Sequence, residues 1–312
     1  MGQLLALLSA LSWGISNIYT RQAQQDSNLD RYTGQFITLF INTLTNIVVL
    51  IVYLYFFPVS NFEVKGFAFF VLAGILNSFV GRALLFTSIS YIGAARAGAY
   101  KVTAPVFTVS AGIFILGEKI SSLAWMGIIV VLIGVLLVTE ETVKEEHHLS
   151  IDKTQDLVLK ELPANKKILQ KGVVLGLLSG FMLGSGNVFR KLGVTFYPEA
   201  LIGVCIGSLM GIVFCTGFQM VRGKKNELTD ALRTCWHTSY LPAGVYSSFA
   251  QYFLFFALLY APVSIVNSIT ASEAFFTMLA GYIIHGNKEF LNMKIVGGAA
   301  VILAGVCLLF LD

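Results

Sequence analysis

The chain has 312 residues, 56% of them hydrophobic and only 12% charged, with a formal net charge of +4. A soluble domain carries roughly a quarter of its residues as charges, so this composition excludes one and makes lipid the solvent. The weak positive balance sits in polar breaks between apolar runs, which fits membrane topology signals and argues against nucleic-acid binding.

Cutting at those breaks predicts ten spanning helices, near 3–20, 33–57, 66–88, 94–116, 122–139, 172–189, 200–221, 240–260, 262–285 and 295–311. No alternating barrel pattern is visible, so the expected fold class is an all-α membrane protein. The run from Met1 to Tyr19 has no basic stretch before it and reads as a span rather than a cleaved signal. Between the fifth and sixth spans, residues 140–171 carry seven acidic and six basic side chains and read as a polar linker. His147 and His148 inside it lack a third ligand, and Cys205, Cys215, Cys235 and Cys307 follow no paired spacing. No metal, cofactor or disulfide framework is expected.

The sixth span repeats the first at an offset of 170: Gly2, Leu5, Leu7, Leu8, Ser9, Gly14 and Asn17 recur as Gly172, Leu175, Leu177, Leu178, Ser179, Gly184 and Asn187. Later spans continue the match, with Phe107, Gly112 and Lys119 facing Phe276, Gly281 and Lys288 at 169, and Gly127 and Gly134 facing Gly298 and Gly305 at 171. The chain therefore divides into a five-helix repeat over 1–139, the linker, and a second five-helix repeat over 172–312. Five is odd, so the second copy enters the membrane from the opposite side, and such inverted pairs build a site at their interface near the midplane. Glycines spaced by four, 172 to 184 and 203 to 211, form ridges for close helix packing. The charge bias, fifteen basic residues against four, places both termini outside.

Arg82, Lys101 and Glu273 fall inside predicted spans, where a charge is costly unless paired or hydrated. Arg82 and Lys101 are expected at one depth without an acidic partner in the first repeat, so an anionic substrate group is a candidate partner; snorkelling or pairing with Glu273 are the alternatives. Burial favours the protonated form of a carboxyl, which makes Glu273 the candidate proton carrier. Trp13, Asn17, Tyr100, Asn187, Tyr252 and Asn267 add polar or amphipathic groups at membrane depth, as substrate contacts or as interhelical hydrogen bonds. Gln251 and Tyr252 occupy the repeat positions of Gly81 and Arg82, so an asymmetric site is expected.

Leu11-Ser-Trp-Gly14 with Asn17, the run Ala104-Pro-Val-Phe through Leu116-Gly-Glu-Lys119, and Trp125-Met-Gly127 through Gly134-Val-Leu-Leu137 resemble the drug/metabolite transporter superfamily, in its ten-helix EamA-like branch. The second repeat keeps the family's glutamate as Glu273-Ala-Phe-Phe but loses the proline, and Gly286-Asn287-Lys288 carries an amide where an acid is usual. The resemblance implies both termini in the cytoplasm, against the charge count, and implies export of a small metabolite. The expected function is secondary transport, not catalysis, of an amino acid or other carboxylate-bearing solute by alternating access with proton coupling. A nucleotide-sugar or lipid-linked-sugar carrier, or a non-transporting membrane partner, are the rival readings. Expected partners are a small-molecule substrate and the bilayer, with a homodimer as an option.

Overall fold

Polar side chains are hidden and aliphatic ones displayed, the reverse of a water-soluble surface. Along one helix Gln35, Thr38, Asn42 and Asn46 are buried, while Val48 and Ile51 are 55% and 62% exposed. Only lipid accepts such an exterior, and it requires the backbone to satisfy itself as helix. The structure, a computed structural model, describes residues 1–27, 29–101, 103–153, 166–223, 225–234, 239–285 and 293–311, and among these it contains helices and no strand.

In chain order the helices are α1 (Gly2–Asp26), α2 (Arg31–Phe56), α3 (Val64–Ala73), a π-helical segment (Gly74–Val80), α4 (Gly81–Lys101), α5 (Ala104–Phe114), α6 (Ser122–Lys153) and α7 (Lys166–Phe196). They continue as α8 (Ala200–Val221), α9 (Lys225–Thr234), α10 (Tyr240–Tyr260), α11 (Val263–Thr270), α12 (Glu273–His285) and α13 (Met293–Phe310). Six stretches are long and apolar enough to span, and 104–114, 122–138 and 296–310 are shorter apolar helices. The tenth span is α1, whose serines lower its hydropathy but are used inside: Ser9 and Ser16 each donate to an α10 carbonyl, of Ala250 and Ala243, at 2.8 Å.

Residues 81–101 are helical throughout, yet the chain doubles back within them. Ser88 donates to the Gly172 carbonyl at 2.7 Å, and the bare Cα of Gly176 faces both Ser88 and Tyr100. Residues 88 and 100 would stand about 18 Å apart on a straight helix, so the third span ends and the fourth begins between them.

The two halves pack by exchange. α1 lies on α10 and α12, and α7 lies in the same way on α3, α4 and α5; α2 meets α8, α5 meets α11 and α6 meets α13. Details follow the repeat: a methyl on Gly14 would strike Phe276 at 2.6 Å, and one on Gly184 would strike its repeat mate Phe107 at 2.9 Å. Along α6 and α13, Gly127 faces the Gly305 carbonyl and Gly134 the Gly298 carbonyl, so closely that a methyl on either would sit 3.0 Å from that oxygen. This is an all-α protein of ten spans in two inverted five-helix repeats.

Two features differ from expectation. Helix occupies part of the charged segment between the repeats, since α6 runs to Lys153 and α7 starts at Lys166, while 154–165 lie outside the described residues. The polar stretch after α8 also holds a short helix, α9, whose Leu228 and Ala231 pack with Ala23, Phe36 and Tyr240. The side chains of His147 and His148 lie outside the described residues.

Candidate functional site

Two spans are broken at repeat-equivalent points. The fourth stops at Lys101 and restarts at Ala104, and the ninth stops at Thr270 and restarts at Glu273, an offset of 169 at each edge. Both breaks close alike: Thr103 Oγ1 folds back on the Tyr100 carbonyl and Ser272 Oγ on the Ile269 carbonyl, each at 2.6 Å. A hydroxyl on a carbonyl three residues earlier competes with the helical ladder and ends it. Such interruptions free backbone groups at mid-depth, where inverted-repeat transporters place their ligands.

Glu273 was expected well inside an unbroken ninth helix. It is instead the first residue of α12, at the N-terminal end of that helix. Nothing in Ala271-Ser272 marks this stop by composition, whereas Pro105 in the first turn of α5 favours a helix start there.

Arg82 lies two residues beyond the π-helical segment. That turn shifts the register of α4, and its carbonyl at Ser78 is held by the buried Gln35 amide at 3.0 Å. The Arg82 guanidinium lies over the Trp13 ring of α1, 5.5 Å from its centroid, and within electrostatic reach of Glu273 of α12, Cys215 of α8 and Arg190 of α7. Four helices thus contribute groups within electrostatic reach of one cation, and the space among them is the candidate chamber. Asn17 joins its wall by donating to Thr277 Oγ1 at 3.3 Å, which ties α1 to α12.

A second polar wall runs through three asparagines. Asn77 of the π segment donates to Asn187 Oδ1 of α7, and Asn187 Nδ2 donates to Asn267 Oδ1 of α11, both at 2.8 Å. Arg190 adds a bond to the same Asn187 oxygen at 3.2 Å and stacks against the Phe255 ring. The sixth span expected from the sequence, 172–189, leaves Arg190 and Lys191 just outside it. They lie within α7, Arg190 6% exposed, and Leu192 to Phe196 carry the helix on for more than a turn beyond them.

Other candidates are placed differently. Tyr252 is buried on α10, packed edge-on against Phe249 at 6.1 Å, and is not hydrogen-bonded to the asparagine row. Tyr100 sits at the end of α4 against the glycine ridge of α7. The side chain of Lys101 lies outside the described residues. Its backbone does share the level of Arg82, because α7 sets Ser179 beside Gly81 and Gly180 beside Thr103.

One corner beside the chamber carries charges whose role the sequence did not reveal. Glu118 accepts the backbone N–H of Val263 at 2.6 Å and of Ser264 at 3.1 Å, and the Ser264 hydroxyl at 2.6 Å, capping α11 from outside its own helix. Lys191 caps the facing end of α10 through the Leu258 and Ala261 carbonyls at 2.6 and 3.0 Å. Among the described residues no group of three His, Cys, Asp or Glu side chains converges as metal ligands.

Comparison with known proteins places this arrangement. A family model described as the EamA-like transporter family matches residues 1–140 and 170–311. An uncharacterized transporter of Helicobacter pylori strain J99 is 24% identical over 328 aligned positions, covering 99% of this chain and 94% of that protein. A solved crystal structure superposes with a TM-score of 0.72 at 12% identity, covering 99% of this chain and 97% of the other, a likeness of fold alone.

Proposed function

The chain belongs to the EamA-like transporter family and is a multi-pass membrane transporter of the cell membrane, and from that premise we propose that it exports a small carboxylate-bearing metabolite, such as an amino acid, by proton-coupled alternating access. The observation that carries this reading is the pair of half-helix breaks around a chamber holding Arg82, Trp13 and Glu273. Inverted repeats let one half rock against the other, so the chamber opens to each side in turn. Arg82 supplies a cation for an anionic group, held in place by the Trp13 ring. Glu273 supplies a group that takes up a proton on one side and releases it on the other.

Counterflow of radiolabelled amino acids in proteoliposomes tests the reading. Exchange is expected in the parent and lost in Arg82→Ala. Glu273→Gln is expected to retain exchange while losing accumulation driven by a pH gradient. Absence of exchange with every carboxylate-bearing solute offered, or gradient-driven accumulation by Glu273→Gln, would refute the corresponding part.

A further inference from the structure

A surplus of hydrogen-bond donors lines the α7–α11 wall of the chamber. A guanidinium has five N–H donors. Arg190, buried to 6% exposure, directs one nitrogen to Asn187 Oδ1 at 3.2 Å and lays its face on Phe255, and no carboxylate bonds to it among the described residues. Its acceptor is already shared, since Asn77 Nδ2 uses the same oxygen at 2.8 Å. Beyond Asn187, the Oδ1 of Asn267 is occupied while its buried Nδ2 meets no acceptor. Reversing that amide would set two nitrogens against each other, so the shortage of acceptors is a property of the wall and not of one rotamer.

Buried donors and buried charges are normally matched, and a cationic one left short is costly. Arg82 does not share this condition, because Trp13 and Glu273 attend it. The repeat mate of Arg190 is Thr20, whose hydroxyl is absorbed by the Ser16 carbonyl at 2.8 Å, so the surplus belongs to one half only. A planar fork of N–H groups in a water-poor site matches the two oxygens of a carboxylate.

We propose that Arg190, with Asn267 Nδ2 beside it, is the primary ligand of the substrate's carboxylate, and that Asn77 and Asn187 position it. The proposal deepens the transport reading and rests on it. Arg82 is then a second cation for the same anionic group, on the side of Glu273.

Trp13 reports on the chamber in a protein carrying Trp125→Phe and Trp236→Phe. Its fluorescence is titrated with acetate, the neutral acetamide and inorganic phosphate at constant ionic strength. Acetate is expected to give a saturable change that acetamide does not, and Arg190→Gln to weaken it about tenfold or more, the worth of one charged hydrogen-bonded contact. Asn187→Asp gives Arg190 a built-in carboxylate and lets Asn267 turn its amide to donate. It is expected to raise the thermal unfolding temperature and abolish the acetate response, which keeps the test decisive if Arg190→Gln does not fold.

Equal responses to acetate and acetamide, an undiminished response in Arg190→Gln, or a parent-like response in Asn187→Asp would overturn the proposal. Tighter binding of phosphate than acetate would overturn the carboxylate class. Acetate binding through Arg190 without solute exchange would refute the transport reading alone. Exchange with unaltered KM in Arg190→Gln would refute this inference alone.

Discussion

A methyl on Gly305 would sit 2.6 Å from the backbone nitrogen of Val131, an atom that cannot step aside without moving α6. Gly305→Ala is therefore expected to cost about 1–3 kcal/mol, seen as a lower unfolding temperature in detergent. Gly217, inside α8 with nothing within 4 Å of such a methyl, gives the opposite sign. Gly217→Ala is expected to stabilise by up to about 1 kcal/mol, since alanine loses less backbone freedom in a helix. The residue scale is also where sequence reading reached its limit. Arg82 and Glu273 stand out because they are charges within apolar runs, and they lie within electrostatic reach of each other. Arg190 was hidden by its neighbour: two adjacent cations look like the edge of a span, and only the apolar stretch from Leu192 to Phe196 after them hints at burial.

At the element scale, the α10–α11 corner at Ala261-Pro262 is fastened from outside by Glu118 and Lys191. Glu118→Ala removes the acceptor for two backbone N–H groups of α11 and is expected to cost about 1–2 kcal/mol, the scale of a lost helix cap. Lys191→Met should act in the same direction. Because both serve one turn, the double variant is expected to lose less than the sum, a non-additivity that thermal unfolding of the four proteins would measure. Helix positions were legible from apolar runs, and the repeat from its glycines. The break in the ninth span was not, because it is made by a hydroxyl turning back on a carbonyl, and Ser272 has the same composition whether it does so or donates elsewhere.

At the scale of the molecule, inversion makes a topological prediction. Ser90 and Tyr260 are repeat mates, both exposed; Ser90 lies near the start of α7, and Tyr260 adjoins Ala261, the residue that faces Gly2 of α1. A membrane-impermeant thiol reagent is expected to label Ser90→Cys and Tyr260→Cys from opposite faces, and labelling from a common face would contradict the inverted arrangement. This much of the architecture was readable because an odd number of spans per repeat dictates it, whatever the side chains do. The candidate site's chemistry was less readable, because α1, α4, α7, α8, α11 and α12 contribute to it from positions far apart in the chain.

The glycine seam between α6 and α13 has a mechanical consequence. Backbone approaches backbone at Gly127 with Gly305 and at Gly134 with Gly298, so the two helices are held closer there than any larger residue would allow. In the alternating access proposed above, such a close joint serves as the pivot of a lever: widening one mouth of the protein narrows the other. Under that proposal leak is limited by the geometry of the hinge itself, without a separate gate at each end.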